Sequence, residues 1–401
     1  MVRKAEIPSL KNRAWLKDVW LQKLMAVLSE EGGDVRVVGG AVRNALMARA
    51  VADVDLATTH LPQDVMRLCK AAKFGVHPTG LDHGTITISH DRGTFEVTTL
   101  RRDVATDGRR ATVAFTQDWA EDAARRDFTF NALYCSAGGI CEDYTDGYRD
   151  LLNRKVKFVG DAEQRIKEDY LRILRFFRFH ASYGAATPEP RGLAACIALK
   201  EGLRTLSPER VRQEFFKLLV APRALPTLKL MARVGILDII IPHTDEWRVF
   251  SRLPEDALLR LFVLARAPEV LAGTLRLSKV QAKRLQLLVN LPAITPAFRP
   301  REQKTLLYEL GEEAYRDAVI LSLARGKDKQ ENLAWRRLLA LPKRWSTPTL
   351  PVTGDDLKAL GIVSGPQLGR ILRDIEDWWL ASDFKPGREE LLERVRTDYA
   401  K

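Results

Sequence analysis

Val37-Val38-Gly39-Gly40-Ala41-Val42-Arg43-Asn44 is a β-type run ending in two glycines that open a helix, and Asp53-Val54-Asp55 follows at the start of a second β-type run. Glycine lets a backbone approach a ligand closely, and the exposed amides of a helix N-terminus favour phosphate. Arg43, one turn into that helix, can add a charge-assisted contact to the same phosphate. No Gly-Lys-Ser/Thr follows, so this is not a P-loop, and taken alone it reads equally as an ordinary turn. The period of two along a strand puts Asp53 and Asp55 on one face, with Val54 and Leu56 on the other. Adjacent carboxylates raise each other's pKa unless a cation neutralises them, and hard oxygen ligands of this kind suit Mg²⁺. A solvated edge strand would look the same.

Three further stretches carry chemistry. In Thr94-Phe95-Glu96-Val97-Thr98 the alternation leaves Glu96 opposite to Phe95 and Val97, so pairing with the Asp53–Asp55 strand would bring three carboxylates together. Arg125-Arg126-Asp127-Phe128-Thr129-Phe130-Asn131 offers two arginines to a triphosphate or a primer end. Alternatively Asp127 caps the next turn while the arginines pair with Glu121 and Asp122. In Glu168-Asp169-Tyr170-Leu171-Arg172-Ile173-Leu174-Arg175-Phe176-Phe177-Arg178, read as one helix, Asp169, Arg172 and Arg175 line one flank. Leu171, Leu174 and Phe177 line another, which packs inward. That polar flank is either a solvated ion-pair row or a base reader. An ionised Asp only accepts and an Arg only donates, a combination that fits the amino-donor and ring-acceptor edges of cytosine and adenine. Uracil and guanine present the reverse edge and would leave buried polar groups unpaired.

Around these motifs the pattern divides in two. Short β-type runs at 35–38, 54–56, 85–88, 95–98 and 132–135 alternate with helices at 14–31, 41–49, 62–72 and 119–126. The basic stretch 101–118 has few apolar anchors and reads as a long mobile loop. From 161 onward the chain reads as helices at 161–182, 191–203, 207–220, 225–235, 255–266, 278–290, 301–324, 330–340 and 354–382, with proline-bearing joints between them. The predicted architecture is an α/β head, with a mixed β-sheet, followed by an all-α remainder.

The charge follows this division. The 401 residues carry a formal net charge of +12. Residues 1–150 hold 20 basic and 21 acidic side chains, whereas 151–240 hold 17 and 9. Such an excess suits a polyanionic partner or a solvated basic surface. The four cysteines include no Cys-x-x-Cys pair and no zinc pattern, and read as reduced intracellular thiols. No apolar run suits a membrane span, and the N-terminal stretch lacks the apolar segment of a secretory signal.

The motifs together, in this order, resemble the class II tRNA nucleotidyltransferase / poly(A) polymerase family. The segments that carry the resemblance are VGGAVRN, DVDLAT, HGTITISH, FEVTTLRRDVATDGR, WAEDAARRDFTFNAL, DGYRDL, VKFVGDAEQRIKEDYLRILRFFRF and LSPERVRQEFFKLL, over roughly 35–220. The stretch LPVTGDDLKALGIVSGPQLGRILRDIEDWW is similar to the tail of bacterial members. The resemblance implies a nucleotidyltransferase head at 1–140, a neck for base recognition at 141–206, a helical body at 207–340 and a tRNA-binding tail at 341–401. It implies Mg²⁺ on Asp53 and Asp55, with Glu96 as a third catalytic carboxylate. It implies Gly40, Arg43 and Arg126 at the phosphates of the nucleotide, and Asp169, Arg172, Arg175 and Arg178 at its base. Glu209 and Arg210 match a segment that buttresses the base-reading helix. Asn44 stands where the family usually has Asp.

The activity implied is CCA addition: a cytoplasmic enzyme that adds C, C and A from CTP and ATP to the 3′ end of tRNA, with no membrane partner. Poly(A) addition and CC-only or A-only addition share these motifs. Members that add the final A carry a flexible loop at the position of 101–118. A non-catalytic RNA-binding protein on the same scaffold is the alternative from another class, and intact Asp53, Asp55, Asp169 and Arg172 speak against it. The oligomeric state is open.

Overall fold

The structure is a computed structural model that describes residues 6–107, 110–327 and 332–399. Residues 108–109 of the segment 101–118, and the first two residues of the stretch 330–340, lie outside the described residues. The chain divides into two compact units between Pro242 and His243.

The first unit is built on a seven-stranded mixed sheet. In chain order its strands are β1 (Val35–Val38), β2 (Asp55–Thr58), β3 (Gly75–Gly80), β4 (Thr85–His90), β5 (Gly93–Thr99), β8 (Leu133–Cys135) and β9 (Cys141–Asp143). Across the sheet they run β3-β4-β5-β2-β1-β8-β9, while β6 (Arg101–Asp107) and β7 (Arg110–Phe115) form a separate antiparallel hairpin. Among the described residues only β2 and β5 pair in parallel. Two registered rows set the chemistry of the faces. Thr87, Glu96, Asp55, Val38, Tyr134 and Glu142 are successive partners in one row. Ile86, Val97, Leu56, Val37, Cys135 and Cys141 form the next row, on the opposite face. Helices α1 (Val19–Val27), α2 (Gly40–Leu46), α3 (Pro62–Ala71) and α4 (Trp119–Ala124) complete the head. Trp119 and Ala123 of α4 pack with Val38, Ala57 and Tyr134 on the Asp55 side.

The segment 101–118 corrects the expectation of a loop. Alternating Thr, Val and Ala about an Asp107-Gly108 turn signal favour strand pairing, and two strands satisfy each other's backbone without a large apolar face. Thr116 N donates to Leu100 O at 3.0 Å and ties the hairpin base to the sheet.

Behind the head come α5 (Gly147–Leu152), α6 (Ala162–Glu168), α7 (Leu171–Tyr183), α8 (Pro190–Ala198), α9 (Pro208–Leu219) and α10 (Ala224–Arg233). The predicted helix 161–182 is two helices. Asp169 is extended, with φ −156° and ψ 105°, and its carboxylate accepts the Leu171 amide at 3.1 Å. An Asp that caps a following helix in this way favours a break over continuation. An aromatic cluster fixes α7 to the head: the Phe128 ring lies 4.8 Å from Phe158 and 5.3 Å from Phe179, and Phe158 stacks on Phe176 at 5.7 Å. Leu171, Leu174 and Phe177 are buried as the spacing required.

The second unit is helical throughout its described residues. One core gathers Tyr315, Val319, Trp335 and Leu338, and a second gathers Leu357, Ile375, Trp379 and Leu391. The helix Pro300–Arg325 is broken at Gly311, whose φ of 76° interrupts the ladder. The predicted helix 354–382 is also two, Gly354–Ala359 and Pro366–Ala381, separated by Gly361 and Gly365 in positive-φ conformations. No helix of the described residues is long and apolar enough to cross a membrane.

Candidate active site

Asp55 opens β2 and is registered directly against Glu96 of β5, so the two carboxylates stand side by side on one face of the sheet. Asp53 lies just before the strand rather than in it, and its charge still reaches Asp55. Desolvation at the sheet surface, followed by the charges of Glu96 and Asp53, raises the Asp55 carboxyl above its ordinary value, with Arg126 opposing. Asp55 remains solvent-exposed, so the neighbouring negative charge is the telling part of that cause. Among the described residues none of the three carboxylates forms an ion pair. Nor does any group of three or more His, Cys, Asp or Glu side chains form a ready metal cage there. The register sets Asp55 beside Glu96, and the charges of both Glu96 and Asp53 act on Asp55. An uncompensated pair of hard oxygen donors fits a divalent ion that takes one or two carboxylates and completes its shell with substrate phosphates.

The turn beside them is shaped by Gly39. Its φ is 73°, and a Cβ there would sit 3.6 Å from the Asn131 carbonyl. Gly40 then starts α2. Arg43 is buried, and its guanidinium donates to Asn131 Oδ1 at 2.5 Å, to Asn44 Oδ1 at 3.0 Å and to the Tyr183 hydroxyl at 3.0 Å. The Tyr183 ring lies beneath it at 4.4 Å. Burial lowers the Arg43 pKa, and no carboxylate pairs with it directly. Asn44 thus supplies a neutral acceptor at the position where the resemblance expects a carboxylate.

Arg126 is held by Asp122. The Asp122 carboxylate, wholly buried, accepts from Arg126 Nη2 at 2.9 Å, from Arg125 Nη2 at 2.6 Å and from the Tyr134 hydroxyl at 2.8 Å. Burial alone would raise its pKa, yet the two arginines and the Tyr134 hydrogen bond hold it at about 2. The pairing of both arginines with Asp122, one of the two sequence readings, is realised. Glu121 instead accepts from Thr116 Oγ1 at 2.5 Å.

At the start of α7, Asp169 and Arg172 do not pair with each other. Asp169 accepts from Arg210 at 2.8 Å, while Arg172 reaches Glu168 at 2.5 Å and the Arg165 carbonyl at 2.7 Å. Arg175 is bound to Asp127 at 2.5 Å, and Arg178 to Glu214 at 2.5 Å. Asp127 also accepts from the Phe128 amide and from Asn131 Nδ2, while the turn Thr129–Asn131 that follows has no side-chain cap, so Asp127 joins α7 by an ion pair rather than capping that turn. Polar links that seat α7 against the head include Asp127 with Arg175, Arg43 and Asn44 with the Tyr183 hydroxyl, and Arg49 with the Ser182 carbonyl at 2.9 Å. The structure brings together Gly40, Arg43 and Asn131 at one place, and Asp169, Arg172, Arg175 and Arg178 along one helix and its entry. Sequence reasoning missed Tyr183 and Asn131 as the groups that hold Arg43. Their signal was only the presence of polar residues at positions that proved buried.

Residues 35–157 match the family described as the poly A polymerase head domain, and residues 187–248 match a probable RNA and SrmB-binding site of polymerase A. A curated relative from Danio rerio, named CCA tRNA nucleotidyltransferase 1, mitochondrial, is 37% identical over 391 residues, covering 92% of this chain and 88% of its own. The CCA-adding enzyme of Levilactobacillus brevis is 32% identical, covering 88% of this chain and 91% of its own. A solved structure of the Bacillus stearothermophilus CCA-adding enzyme in complex with CTP superposes with a TM-score of 0.75 at 26% identity, covering 94% of this chain and 97% of its own. With a similarity that runs through the sheet and the helices that follow it alike, the chain belongs to the tRNA nucleotidyltransferase / poly(A) polymerase family.

Proposed function

We propose that the chain is a CCA-adding tRNA nucleotidyltransferase, which adds C, C and A from CTP and ATP to the 3′ end of tRNA without a nucleic-acid template and releases pyrophosphate. The observation that carries this reading is the 37% identity, over 391 residues, to a relative named for that activity. The geometry is consistent with a division of labour. Asp53 and Asp55, with Glu96 beside them, would hold Mg²⁺. A bound divalent ion neutralises triphosphate charge and makes a hydroxyl a better nucleophile. Gly40 presents the N-terminal amides of α2 to the phosphates, and Arg43 and Arg126 orient them from fixed positions. Their own partners are neutral groups and one shared carboxylate, which leaves positive field to spare at this end of the sheet.

Asp169 and Arg172 read the base edge, and Arg175 and Arg178 shape the same pocket. Each is immobilised by a different neighbour, so an incoming base meets donors and acceptors already in place. The 3′ hydroxyl of tRNA attacks the α-phosphate and pyrophosphate leaves. In this reading residues 1–140 are the catalytic head, 141–206 the neck, 207–340 the body and 341–401 a tail that grips tRNA. The four cysteines suit a reducing, cytoplasmic setting, although the Danio relative is named as mitochondrial.

The test is incubation of the purified protein with tRNA lacking CCA, with tRNA ending in CC, and with each nucleoside triphosphate. Sequential C, C and A on the first, and a single A on the second, is the expected result. Processive A-tailing of an unrelated RNA, or a stop at CC, would overturn it.

A further inference from the structure

The turn between β8 and β9 sets two cysteines face to face. Ser136 N donates to the Ile140 carbonyl at 2.9 Å, and Gly139 N donates to the Ser136 carbonyl at 2.9 Å, with Gly139 at φ 81°. These bonds close the hairpin on Ser136 and Ile140 as its hydrogen-bonded pair, with a left-handed glycine in the loop. Bonded and non-bonded pairs alternate along an antiparallel ladder, so the next registered pair, Cys135 and Cys141, is of the non-bonded kind. Cα atoms in such a pair lie about 4.5 Å apart, with the side chains at their closest. That distance is inside the range of about 4.4–6.8 Å that a disulfide spans.

The two thiols are not equivalent. Cys135 is fully buried in the sheet, while Cys141, on the edge strand, is partly open to solvent. Cys135 Sγ donates to the Ser136 carbonyl at 3.5 Å, and the closeness of the two sulfurs lowers the Cys141 pKa and, together with burial, raises that of Cys135. The more accessible sulfur is thus the better nucleophile. The remaining cysteines, Cys69 and Cys196, are buried on α3 and α8.

We propose that Cys135 and Cys141 form a dithiol–disulfide site that peroxide oxidises. The Cys141 thiolate attacks one oxygen of hydrogen peroxide and becomes a sulfenic acid, releasing hydroxide. The Cys135 sulfur then attacks the Cys141 sulfur, the S–O bond breaks, and the Cys135 proton leaves with the hydroxyl as water. Sulfur is oxidised and peroxide reduced, with two thiols and one peroxide giving one disulfide and two waters. A thiol reductant reverses the closure. The bond would staple edge strand β9 to β8. Both cysteines sit in the row opposite to Asp55 and Glu96, so closure leaves the carboxylate face untouched.

The experiment uses the full chain, reduced, desalted and treated with hydrogen peroxide. Thiols titrated after denaturation should fall from four to two, from the four free cysteines present at the start. No Lys or Arg lies between Asp127 and Arg149, so one tryptic peptide holds both cysteines and should lose the mass of two hydrogens, restored by dithiothreitol. Cys135→Ser should leave a sulfenic acid at Cys141 that dimedone traps, and Cys141→Ser should keep its remaining thiols. Four thiols surviving in the wild type, a bond between chains or to another cysteine, or oxidation of Cys141 beyond sulfenic acid without closure would each overturn the proposal.

Discussion

Arg210 holds the Asp169 carboxylate at 2.8 Å across a break between two helices. Asp169 is extended and precedes α7, so no helical backbone fixes its side chain and the guanidinium does so instead. Arg210→Ala should therefore relax discrimination of CTP and ATP against UTP and GTP, on the order of 10-fold for a lost charged hydrogen bond. Arg210→Lys should recover part of it. Misincorporation ratios at a fixed tRNA end are the measurement, and unchanged ratios would remove Arg210 from the positioning of Asp169.

Arg172 is pinned by Glu168 and by the Arg165 carbonyl, which aims its free donors without a partner base. Arg172→Ala should blur C and A selection against U and G more than it weakens triphosphate binding. Comparing KM for CTP with the misincorporation ratio separates the two effects.

Asp53 and Glu96 crowd Asp55 with their negative charge, opposed by the charge of Arg126 but by no ion pair among the described residues. Asp53→Ala should abolish nucleotide addition, by about 10³-fold or more, while tRNA binding by gel shift persists. Chelation with EDTA should have the same pattern, with activity restored by Mg²⁺. Full activity in the variant would end the metal assignment and revive a purely RNA-binding reading of the scaffold.

His180, buried in α7, is lowered to about 4 from 6.5 by burial and by the charge of Arg223. The unfolded chain binds the proton first as pH falls, so the stabilisation is complete above 6.5 and is lost between 6.5 and 4. A full shift of this size is worth roughly 3 kcal/mol. Denaturant midpoints taken from pH 7 to pH 4 should fall, and His180→Gln should flatten that stretch. Asp122, held at about 2, adds a second loss that begins below the ordinary carboxylate range, near pH 4, and completes near 2.

Residues 151–240 carry 17 basic against 9 acidic side chains, whereas the head is nearly neutral. Raising salt should weaken tRNA binding steeply, with a linear log–log slope, and alter nucleotide selectivity far less. A flat slope would place the RNA contact elsewhere.

The head was legible because its strands are short, apolar and bounded by glycine, and because period two alone sends Asp55 and Glu96 to one face. Their adjacency was not, since β2 and β5 pair across intervening strands and register is a tertiary fact. The α7 region was half legible. Its apolar stripe forecast Leu174 and Phe177 in the core, but the local cap at Asp169 broke the helix and exchanged the expected i, i+3 pair for Arg210. The hairpin at β6 and β7 escaped notice because polar residues dominate it and backbone pairing leaves little trace in hydropathy. The arginine holders Asn131 and Tyr183 escaped for a similar reason: what matters is burial, which composition does not display.

The alternation of the two registered rows bears on how the gene for this chain can vary. A strand that gains or loses one residue turns over all its side chains beyond that point. In β2 such an indel would swing Asp55 into the row of Val37 and Leu56 and bring an aliphatic side chain to the nucleotide. Substitution at these positions is graded, whereas a single-codon insertion is an all-or-none lesion. A length change in this sheet is therefore expected to preserve the carboxylate face only when it falls in a turn.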